Sequence, residues 1–536
     1  MRTIIDNVRI YRPFKEGRSE QLYYIEIDDG KIRSINKGRT NETGAHVHDA
    51  SERVAAAAFN DSHLHLLRYG IMKKEMDFRK VTSWQEMKDI IHSSYWESQI
   101  EEHDWIVGNG LEDDKFQDVD HLLTARDLEE IEYEKPACFL HDDGHECVVN
   151  ELGMKIIKEE GILNESHERF IEKDKEGNWT GRFTDTATHV IHYNFRQKNE
   201  EEIYIALLDA LPHLLEAGIT SVHTDDFNFA GDFKRVWDSY RRLEEEGKLK
   251  VHVVLHHYVY DLEHLKLALK ENSQRTGDGT ERVKMGAIKI FLDGTQRLHS
   301  AALREPYADK PDTRGNLIYT DEELNDMVRL AHDSGMQVTM HAIGDRAVDQ
   351  ALNALEQVDI EKLRHRIIHG QVLAPDLFDR IKRLGVCLEV QPGFMISEYK
   401  ETVKWVGVTR EKYCNAWGSV DAHGILYTGS SDCPIGPLSP LENIFAAVNR
   451  TDNQGIPEGG WIPEEKLSVD SIYKAYTETP AYIEFAEGRK GLLQEGYEAD
   501  IVLLSSHPKE VEQIALKDIE VVETWIAGEK VYSKDN

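Results

Sequence analysis

Asp61-Ser62-His63-Leu64-His65 is the stretch of this 536-residue chain from which the other expectations follow, and it comes just after the apolar run 54–59. In an extended strand, side chains at i and i+2 point to the same face, so His63 and His65 project into one space. Neutral histidine is the commonest metal ligand, and two from one strand supply half of a tetrahedral shell. Among 25 histidines, a His-x-His pair also arises by chance. A metal site therefore needs further ligands elsewhere in the sequence.

The bulk composition describes an ordinary globular protein, with 40% hydrophobic and 30% charged residues. A chain of 61.5 kDa exceeds what a single core usually serves, so one large domain with additions, or two to three domains, is expected. The net charge of −34 repels phosphate backbones and anionic membranes, which argues against nucleic-acid and membrane partners. The N-terminal residues show no signal-peptide pattern, and no run of about 18 apolar residues occurs. These features predict a cytoplasmic protein.

The five cysteines are odd in number and scattered, and no Cys-x-x-Cys pair occurs. This pattern argues against a disulfide framework and against a cysteine zinc site, so free thiols are expected. The residues are Cys138, Cys147, Cys387, Cys414 and Cys433.

Both ends of the chain read as short strands joined by turns, and Asp28-Asp29-Gly30 is a strong hairpin signal. Neither set is long enough to bury a sheet alone, so we predict one small β-sandwich built from both termini, with residues 1–57 and 486–536. The predicted strands are 3–11, 21–27, 31–35, 499–504, 521–526 and 530–532.

Between the ends, residues 58–485 alternate apolar strand-like runs with amphipathic helical stretches such as 321–334. Eight β-then-α units predict a distorted (β/α)8 TIM barrel, whose active site lies at the carboxyl ends of the strands. The stretch from about 70 to 215 is far longer than one connection and predicts an inserted α+β subdomain. The eight runs are 59–66, 218–224, 250–257, 285–292, 337–341, 365–369, 386–391 and 425–429.

Further candidate ligands fall at or near the ends of these runs, where a barrel brings them to one place. Lys289 lies in the fourth run, His341 ends the fifth, His369 ends the sixth, and Asp432 follows the eighth. A lysine in so apolar a setting must lower its pKa, find an anion such as Asp293, extend to the strand end, or add carbon dioxide to form a carbamate that can bridge two metals.

Each of these residues also has an ordinary explanation. His341 and His369 could be hydrogen-bonded core histidines, and Asp432 could cap the next helix. As the acid of a metal site, Asp432 would instead accept a proton from bound water and return it to a leaving group.

The whole set of motifs resembles the amidohydrolase superfamily, and within it the YtcJ-like metal-dependent hydrolases of amidohydrolase family 3, which are related to N-substituted formamide deformylase. The resemblance covers nearly the whole chain. It rests on 61–65, Lys289 with Phe291 and Asp293-Gly294, 341–348, His369-Gly370, 429–432, 440–442, 143–145 with 149–150, and 498–502.

The resemblance implies a barrel with a terminal sandwich and a site for one or two divalent metals, most often zinc. His63, His65 and Asp432 would hold one metal, His341 and His369 a second, and Lys289, carboxylated by carbon dioxide, would bridge them. Two departures from the family pattern are Ala57-Ala58 before the first strand, and 295–299 in place of a small-residue run.

These expectations predict hydrolysis of an amide-type C–N bond in a small molecule (EC 3.5 class), by hydroxide formed at the metal at neutral pH. The substrate contacts considered are His145, Asp293, Arg346 and Gln391. Of these, His145, Arg346 and Gln391 could instead be structural or orient a ligand. The alternatives are a deaminase, a cyclic amide or ester hydrolase, and a catalytically silent barrel used for binding. Mononuclear deaminases of the superfamily lack the bridging lysine. A homodimer stays open as a partner hypothesis.

Overall fold

The computed structural model describes residues 2–15, 20–42, 44–96, 105–195 and 198–534. The chain forms two compact units. The larger unit comprises Met1–His65, Ala210–Asp225 and Tyr240–Asn536, and the smaller comprises Leu66–Asp209 and Asp226–Ser239.

The larger unit contains a parallel eight-stranded sheet in which each strand pairs with the next one along the chain. Almost all of its residues are buried, as expected for strands covered on both faces. The barrel strands, numbered first to eighth, are Phe59–Leu64, Ile219–Thr224, His252–Tyr258, Val283–Phe291, Val338–Ala342, Arg366–His369, Cys387–Val390 and Tyr427–Gly429.

The first and eighth barrel strands form the two edges of this sheet, and hydrogen bonds join these edges. Ser62 Oγ lies 2.7 Å from Thr428 Oγ1, and the backbone N–H of Asp432 donates to the carbonyl of His63 at 2.8 Å. The sheet is therefore nearly closed, and the predicted (β/α)8 barrel is confirmed.

Helices follow the barrel strands, as the alternating sequence pattern predicts. Thr320 caps one of them through a capping box with Glu323, and Gly385 ends another in the left-handed conformation. The helices after the second to eighth strands are Phe233–Glu245, Leu262–Glu271, Asp321–Asp333, Asp345–Leu355, Ile360–Leu363, Pro375–Leu384, Phe394–Val406, Trp417–Ala422, Pro440–Asn449, Val469–Ala475 and Glu478–Ile483.

Strands from both ends of the chain form a second sheet system in the larger unit. Strand Val54–Ala57 joins the two ends, because it pairs in parallel with Thr3–Ile10 and antiparallel with Ile501–Leu504. A core that includes Ile25 and Trp525 fills its interior. The predicted sandwich from both termini is thus confirmed. Its strands are Thr3–Ile10, Tyr23–Asp28, Lys31–Lys37, His46–Asp49, Val54–Ala57, Ile501–Leu504, Val521–Ile526 and Glu529–Ser533.

The smaller unit has its own six-stranded mixed sheet and its own apolar core, which includes Phe78, Phe139 and Val148. It is the α+β subdomain that the length of the connection predicts. Its strands are Met76–Asp77, Ile106–Leu111, Ala137–His141, Glu146–Val149, Ile171–Lys173 and Trp179–Thr184, and its helices are Leu66–Met72, Trp84–Ile91, Ala125–Leu128, Glu151–Glu159 and Asp185–Phe195, with Glu200–Glu216 at the unit boundary.

Short 3-10 helices occur at Asp113–Lys115, Glu129–Ile131, Glu165–Phe170, Phe227–Phe229, Glu411–Tyr413, Pro463–Glu465 and Gln513–Asp518. Within the described ranges, no helix combines the length and the apolar character that crossing a membrane requires.

Candidate metal centre

His63, His65 and Asp432 form a buried cluster in which one ligand atom from each lies within 4.8 Å of the other two. The Nε2 atoms of His63 and His65 lie 3.4 and 3.2 Å from Asp432 Oδ1. The histidines share one face of the first barrel strand because their spacing is two. Asp432 follows the eighth strand in a turn whose Ser431 N–H donates to Asp61 Oδ1 at 3.1 Å. Asp61 thus ties the two edges of the barrel together at the cluster.

His341 and His369 lie at the ends of the neighbouring fifth and sixth barrel strands. Their ring centroids are 4.7 Å apart, and those of His63 and His369 are 6.1 Å apart. The four imidazoles therefore form a continuous group with Asp432 at the carboxyl end of the barrel.

Three of these imidazoles have Nδ1 directed at an acceptor. His65 Nδ1 lies 2.8 Å from the carbonyl oxygen of Asp225, and His369 Nδ1 lies 2.7 Å from Gln391 Oε1. His341 Nδ1 lies 3.1 Å from Asp293 Oδ1. A proton on Nδ1 leaves the lone pair of Nε2 available, which is the usual arrangement of a metal-binding histidine.

Two candidate ligands have a left-handed backbone, with φ of 74° for His369 and 54° for Asp432. This conformation costs a residue other than glycine about 1–3 kcal/mol when the surroundings enforce it, and such residues cluster at functional sites. Both residues are buried, so their left-handed backbone does not belong to an exposed surface turn.

Lys289 is fully buried on the fourth barrel strand, with Nζ 4.5 Å from the centre of the Phe291 ring. Its Nζ has no hydrogen-bond partner among the residues that the structure describes. Burial lowers the pKa of Lys289 to about 8, although the carboxylates of Asp225 and Asp432 oppose this change. A substantial fraction of the amine is therefore neutral near physiological pH, the form that adds carbon dioxide.

The charges of His63 and Asp432 match what a metal requires of its ligands. Burial, followed by the charge of Lys289, holds the pKa of His63 well below its usual value. Burial would raise the pKa of Asp432, but its contacts with His63 and His65 hold it well below the usual value. His63 is thus neutral and Asp432 ionised, which are the forms that bind a divalent cation.

The predicted substrate contacts fall in three different surroundings. Asp293 and Gln391 are buried against His341 and His369, and Asp293 also accepts backbone N–H bonds, including that of Gly344 at 2.9 Å. This arrangement suits residues that orient a ligand. The Arg346 side chain is exposed at the first turn of a helix. His145 belongs to the smaller unit, where its Nδ1 lies 3.0 Å from Asp185 Oδ1.

Asp225 is a site residue that the sequence reasoning missed. It follows the second barrel strand directly, is fully buried, and raises the pKa of Lys289 more than any other neighbouring charge does. Its position in Thr224-Asp225-Asp226, at a strand end of the barrel, is the signal that could have identified it.

This donor set fits a divalent metal. The cluster offers imidazole and carboxylate ligands of the kind that zinc prefers, and the buried amine of Lys289 lacks a hydrogen-bond partner among the described residues. His63, His65 and Asp432 would hold one ion, and His341, His369 and a carboxylated Lys289 would complete a second position.

Comparisons with known proteins agree with this geometry. A model of the amidohydrolase family matches residues 46–532. The chain is 30% identical to YtcJ of Bacillus subtilis (strain 168) over 98% of each chain, and 22% identical to N-substituted formamide deformylase of Arthrobacter pascens over 97% of this chain and 96% of that protein. Among solved structures, an uncharacterized metal-dependent hydrolase from Pyrococcus horikoshii OT3 is 26% identical, with a TM-score of 0.75 over 96% of this chain and 99% of that one.

Proposed function

The chain belongs to the amidohydrolase family, and on that premise we propose that it cleaves an amide-type carbon–nitrogen bond in a small molecule with the help of a divalent metal ion. The observation that carries the proposal is the buried cluster of His63, His65 and Asp432, together with Lys289, His341 and His369 on the fourth, fifth and sixth barrel strands. A carboxylate that directly faces two imidazoles is able both to bind the ion and to move a proton.

Each residue of the site has a distinct role in the proposed hydrolysis. A divalent metal bound there would lower the pKa of water from about 15.7 to about 7 and polarise the scissile carbonyl. Asp432, kept ionised by its two histidine neighbours, accepts the proton of the attacking water and passes it to the departing nitrogen. Asp293 and Gln391 orient His341 and His369, so that the ligand atoms are in position before substrate arrives.

We further propose zinc as the ion and carboxylation of Lys289 as the source of a bridging ligand.

Arg346 and His145 stay candidate substrate contacts. The predicted domain bounds also stay proposals: 1–57 and 486–536 for the sandwich, 58–485 for the barrel and about 70–215 for the inserted subdomain. The net charge of −34 disfavours a nucleic-acid partner, and we propose a small-molecule substrate and a cytoplasmic location. A homodimer stays a hypothesis, which sedimentation measurements of the molecular mass would test.

The proposed function is tested by a substrate screen. Purified protein, reconstituted with Zn²⁺ or Mn²⁺ in bicarbonate buffer, is assayed with N-formyl and N-acyl amines, cyclic amides, cyclic esters and aminated heterocycles. Turnover of the amides and release of amine support the proposal, and reconstitution in buffer freed of carbon dioxide is expected to give lower activity. Turnover of only the heterocycles would replace it with the deaminase alternative, and turnover of only the cyclic amides or only the esters would replace it with the cyclic amide or ester hydrolase alternative. Absence of bound metal together with absence of turnover would favour a barrel used for binding.

Asp432→Asn is the sharpest single substitution. Asparagine keeps the shape and one oxygen ligand but does not accept the proton, so we expect kcat to fall by about 10²–10⁴-fold, the usual contribution of a general acid–base. Most of the metal should remain bound when measured by elemental analysis. The exposed Asp359→Asn serves as the matched control, and an Asp432→Asn enzyme of normal kcat would remove Asp432 from this role.

A further inference from the structure

A second group of ligands lies in the smaller unit. Cys138, Cys147 and His192 each place one ligand atom within 4.8 Å of the other two. Their exposed fractions are 0%, 1% and 3%. Two thiols and one imidazole that converge in a protein interior are a donor set of zinc sites, and the barrel site uses none of them.

The strand register determines how the two cysteines meet. Strands Ala137–His141 and Glu146–Val149 are antiparallel, with Cys147 opposite Leu140 and Val149 opposite Cys138. The cysteines therefore share one face of the sheet as diagonal neighbours, whose Cα atoms are typically about 7–8 Å apart. A disulfide usually requires less than about 7 Å, so this register disfavours a direct S–S bond. A zinc ion, with Zn–S bonds of about 2.3 Å, would bridge two sulfurs that lie within 4.8 Å of each other.

The third ligand comes from the helix Asp185–Phe195. His192 follows Thr188 by four residues, so both side chains lie on the same face of that helix. Thr188 lies beside Cys147, where its hydroxyl opposes the effect of burial on the thiol. The opposite face of the sheet contributes Phe139 and Val148 to the apolar core. The cluster therefore lies between the sheet and the helix, where a bound ion would join the two elements.

We propose that Cys138, Cys147 and His192 bind a thiophilic divalent ion, Zn²⁺, at a site in the smaller unit that is separate from the barrel ligands. Two thiolates and a neutral imidazole give a Zn²⁺ complex without net charge, which a buried site tolerates far better than a charged one. Binding of the ion would release the thiol proton of each cysteine, as metal ligation by thiolates requires.

Co²⁺ substitution tests the proposal on the intact protein, because thiolate–Co²⁺ bonds give intense near-ultraviolet charge-transfer absorption and imidazole or carboxylate bonds do not. Purified full-length protein is dialysed against chelator and titrated with Co²⁺, and protein grown in Co²⁺-supplemented medium gives the same reading without stripping. We expect about one equivalent of thiolate-bound Co²⁺, which Zn²⁺ displaces. A titration without charge-transfer absorption in both preparations would overturn the proposal, whatever the state of the barrel site.

Substitutions identify which residues bind the ion that gives the thiolate–Co²⁺ absorption. Cys138→Ser and Cys147→Ser should each weaken Co²⁺ binding at this site at least 100-fold, and His192→Gln should weaken it while leaving a two-thiolate spectrum. Cys387→Ser and Cys433→Ser, also buried, are the matched controls and should retain the signal. A signal that persists in Cys138→Ser and Cys147→Ser, or mass spectrometry that finds a Cys138–Cys147 disulfide in the isolated protein, would refute the site.

Discussion

The candidate metal ligands are held by neighbours that are not ligands themselves. His369 is fixed by Gln391, whose amide nitrogen in turn donates to Glu389 O at 2.9 Å and to Ser430 Oγ at 2.8 Å. The glutamine therefore cannot rotate its oxygen away from His369 without breaking two further bonds. Partners of this kind set the tautomer and the direction of the ring, and their loss typically costs 10–100-fold in metal affinity or activity.

Gln391→Leu tests this orienting role. Leucine fills a similar volume but offers no oxygen to His369 Nδ1, so we expect metal affinity to fall about 10–100-fold. Competition with a chromophoric chelator measures the affinity, and circular dichroism checks the fold. Gln350→Leu is the control, because Gln350 is also buried and loses amide bonds, to Tyr319 O and Asp321, at a place away from the candidate ligands. Equal affinity in the two variants would make Gln391 a structural residue.

Part of the candidate site could be predicted from residue type and strand position alone. The i, i+2 spacing in a strand selected His63 and His65, and the rule that strand ends converge in a barrel selected Lys289, His341, His369 and Asp432, which lie at or near the ends of apolar runs. The sequence left open whether Gln391 contacts substrate, is structural or orients a ligand, since the choice depends on which way its amide is turned. The approach of Cys138 to Cys147 also escaped prediction, because it depends on a strand register that the local sequence does not fix.

At the scale of elements, the interior of the barrel contains an ionic layer. It is formed by His223, His256, Arg366 and Glu389 on the second, third, sixth and seventh strands. Arg366, on the sixth strand, is fully buried and lies 3.1 Å from His223 Nδ1, 3.0 Å from His256 Nε2 and 3.3 Å from Glu389 Oε1. Burial, and then the charge of Arg366, holds the pKa of both histidines well below the usual value. A single guanidinium thus joins the second, third, sixth and seventh strands across the barrel.

A double-mutant cycle measures how this layer contributes to stability. Arg366→Met leaves the Glu389 carboxylate buried without its charged partner, so we expect it to lower the free energy of unfolding by about 3–5 kcal/mol. Arg366→Met combined with Glu389→Met removes both charges and should cost clearly less than the two single changes added together. Urea denaturation followed by tryptophan fluorescence gives the values. Strict additivity would show that the two charges do not interact.

The helix after the third barrel strand contributes a pH dependence through His264. Burial lowers the pKa of His264 to about 4, so between about pH 6.5 and 4 the unfolded chain binds a proton that the folded chain does not. The free energy of unfolding is therefore highest, as far as His264 is concerned, above about pH 6.5, and it decreases as the pH falls towards 4.

His264→Phe should remove this loss, because phenylalanine retains the ring contact with Tyr260, whose centroid is 4.1 Å away, but does not titrate. The change in unfolding free energy between pH 7.5 and 5.5 should shrink by about 1.3 kcal/mol. Urea titrations at the two pH values measure it, with the exposed His46→Phe as control. The same pH dependence in His264→Phe and the parent protein would contradict the assignment.

The barrel strands were the most predictable elements of the fold. Each of the eight predicted runs overlaps an observed strand, and their ends differ by at most two residues, as in 337–341 against Val338–Ala342. Buried parallel strands are nearly continuous apolar runs, which makes them easy to recognise. The smaller unit was predictable as an insertion but not in its arrangement, because its strands pair in an order that short loops do not dictate.

At the scale of the whole molecule, the chain has 98 acidic and 64 basic residues. Even complete ion pairing would therefore leave a net charge of −34. Self-repulsion of this size destabilises a compact state, because unfolding lets like charges move apart. Its range depends on salt, since the Debye length falls from about 30 Å at 0.01 M to about 8 Å at 0.15 M.

Moderate salt should therefore stabilise the protein. We expect Tm to rise by a few degrees between 10 and 150 mM NaCl, as measured by calorimetry at constant metal concentration. Replacing the exposed Glu271, Glu458 and Glu512 with lysine adds two charges at each position and changes the net charge from −34 to −28, so the rise should become smaller. The triple Glu→Gln variant, at −31, should give an intermediate rise. If Tm falls with salt, or if the rise is the same at all three charges, specific ion pairs rather than net repulsion control the stability of this protein.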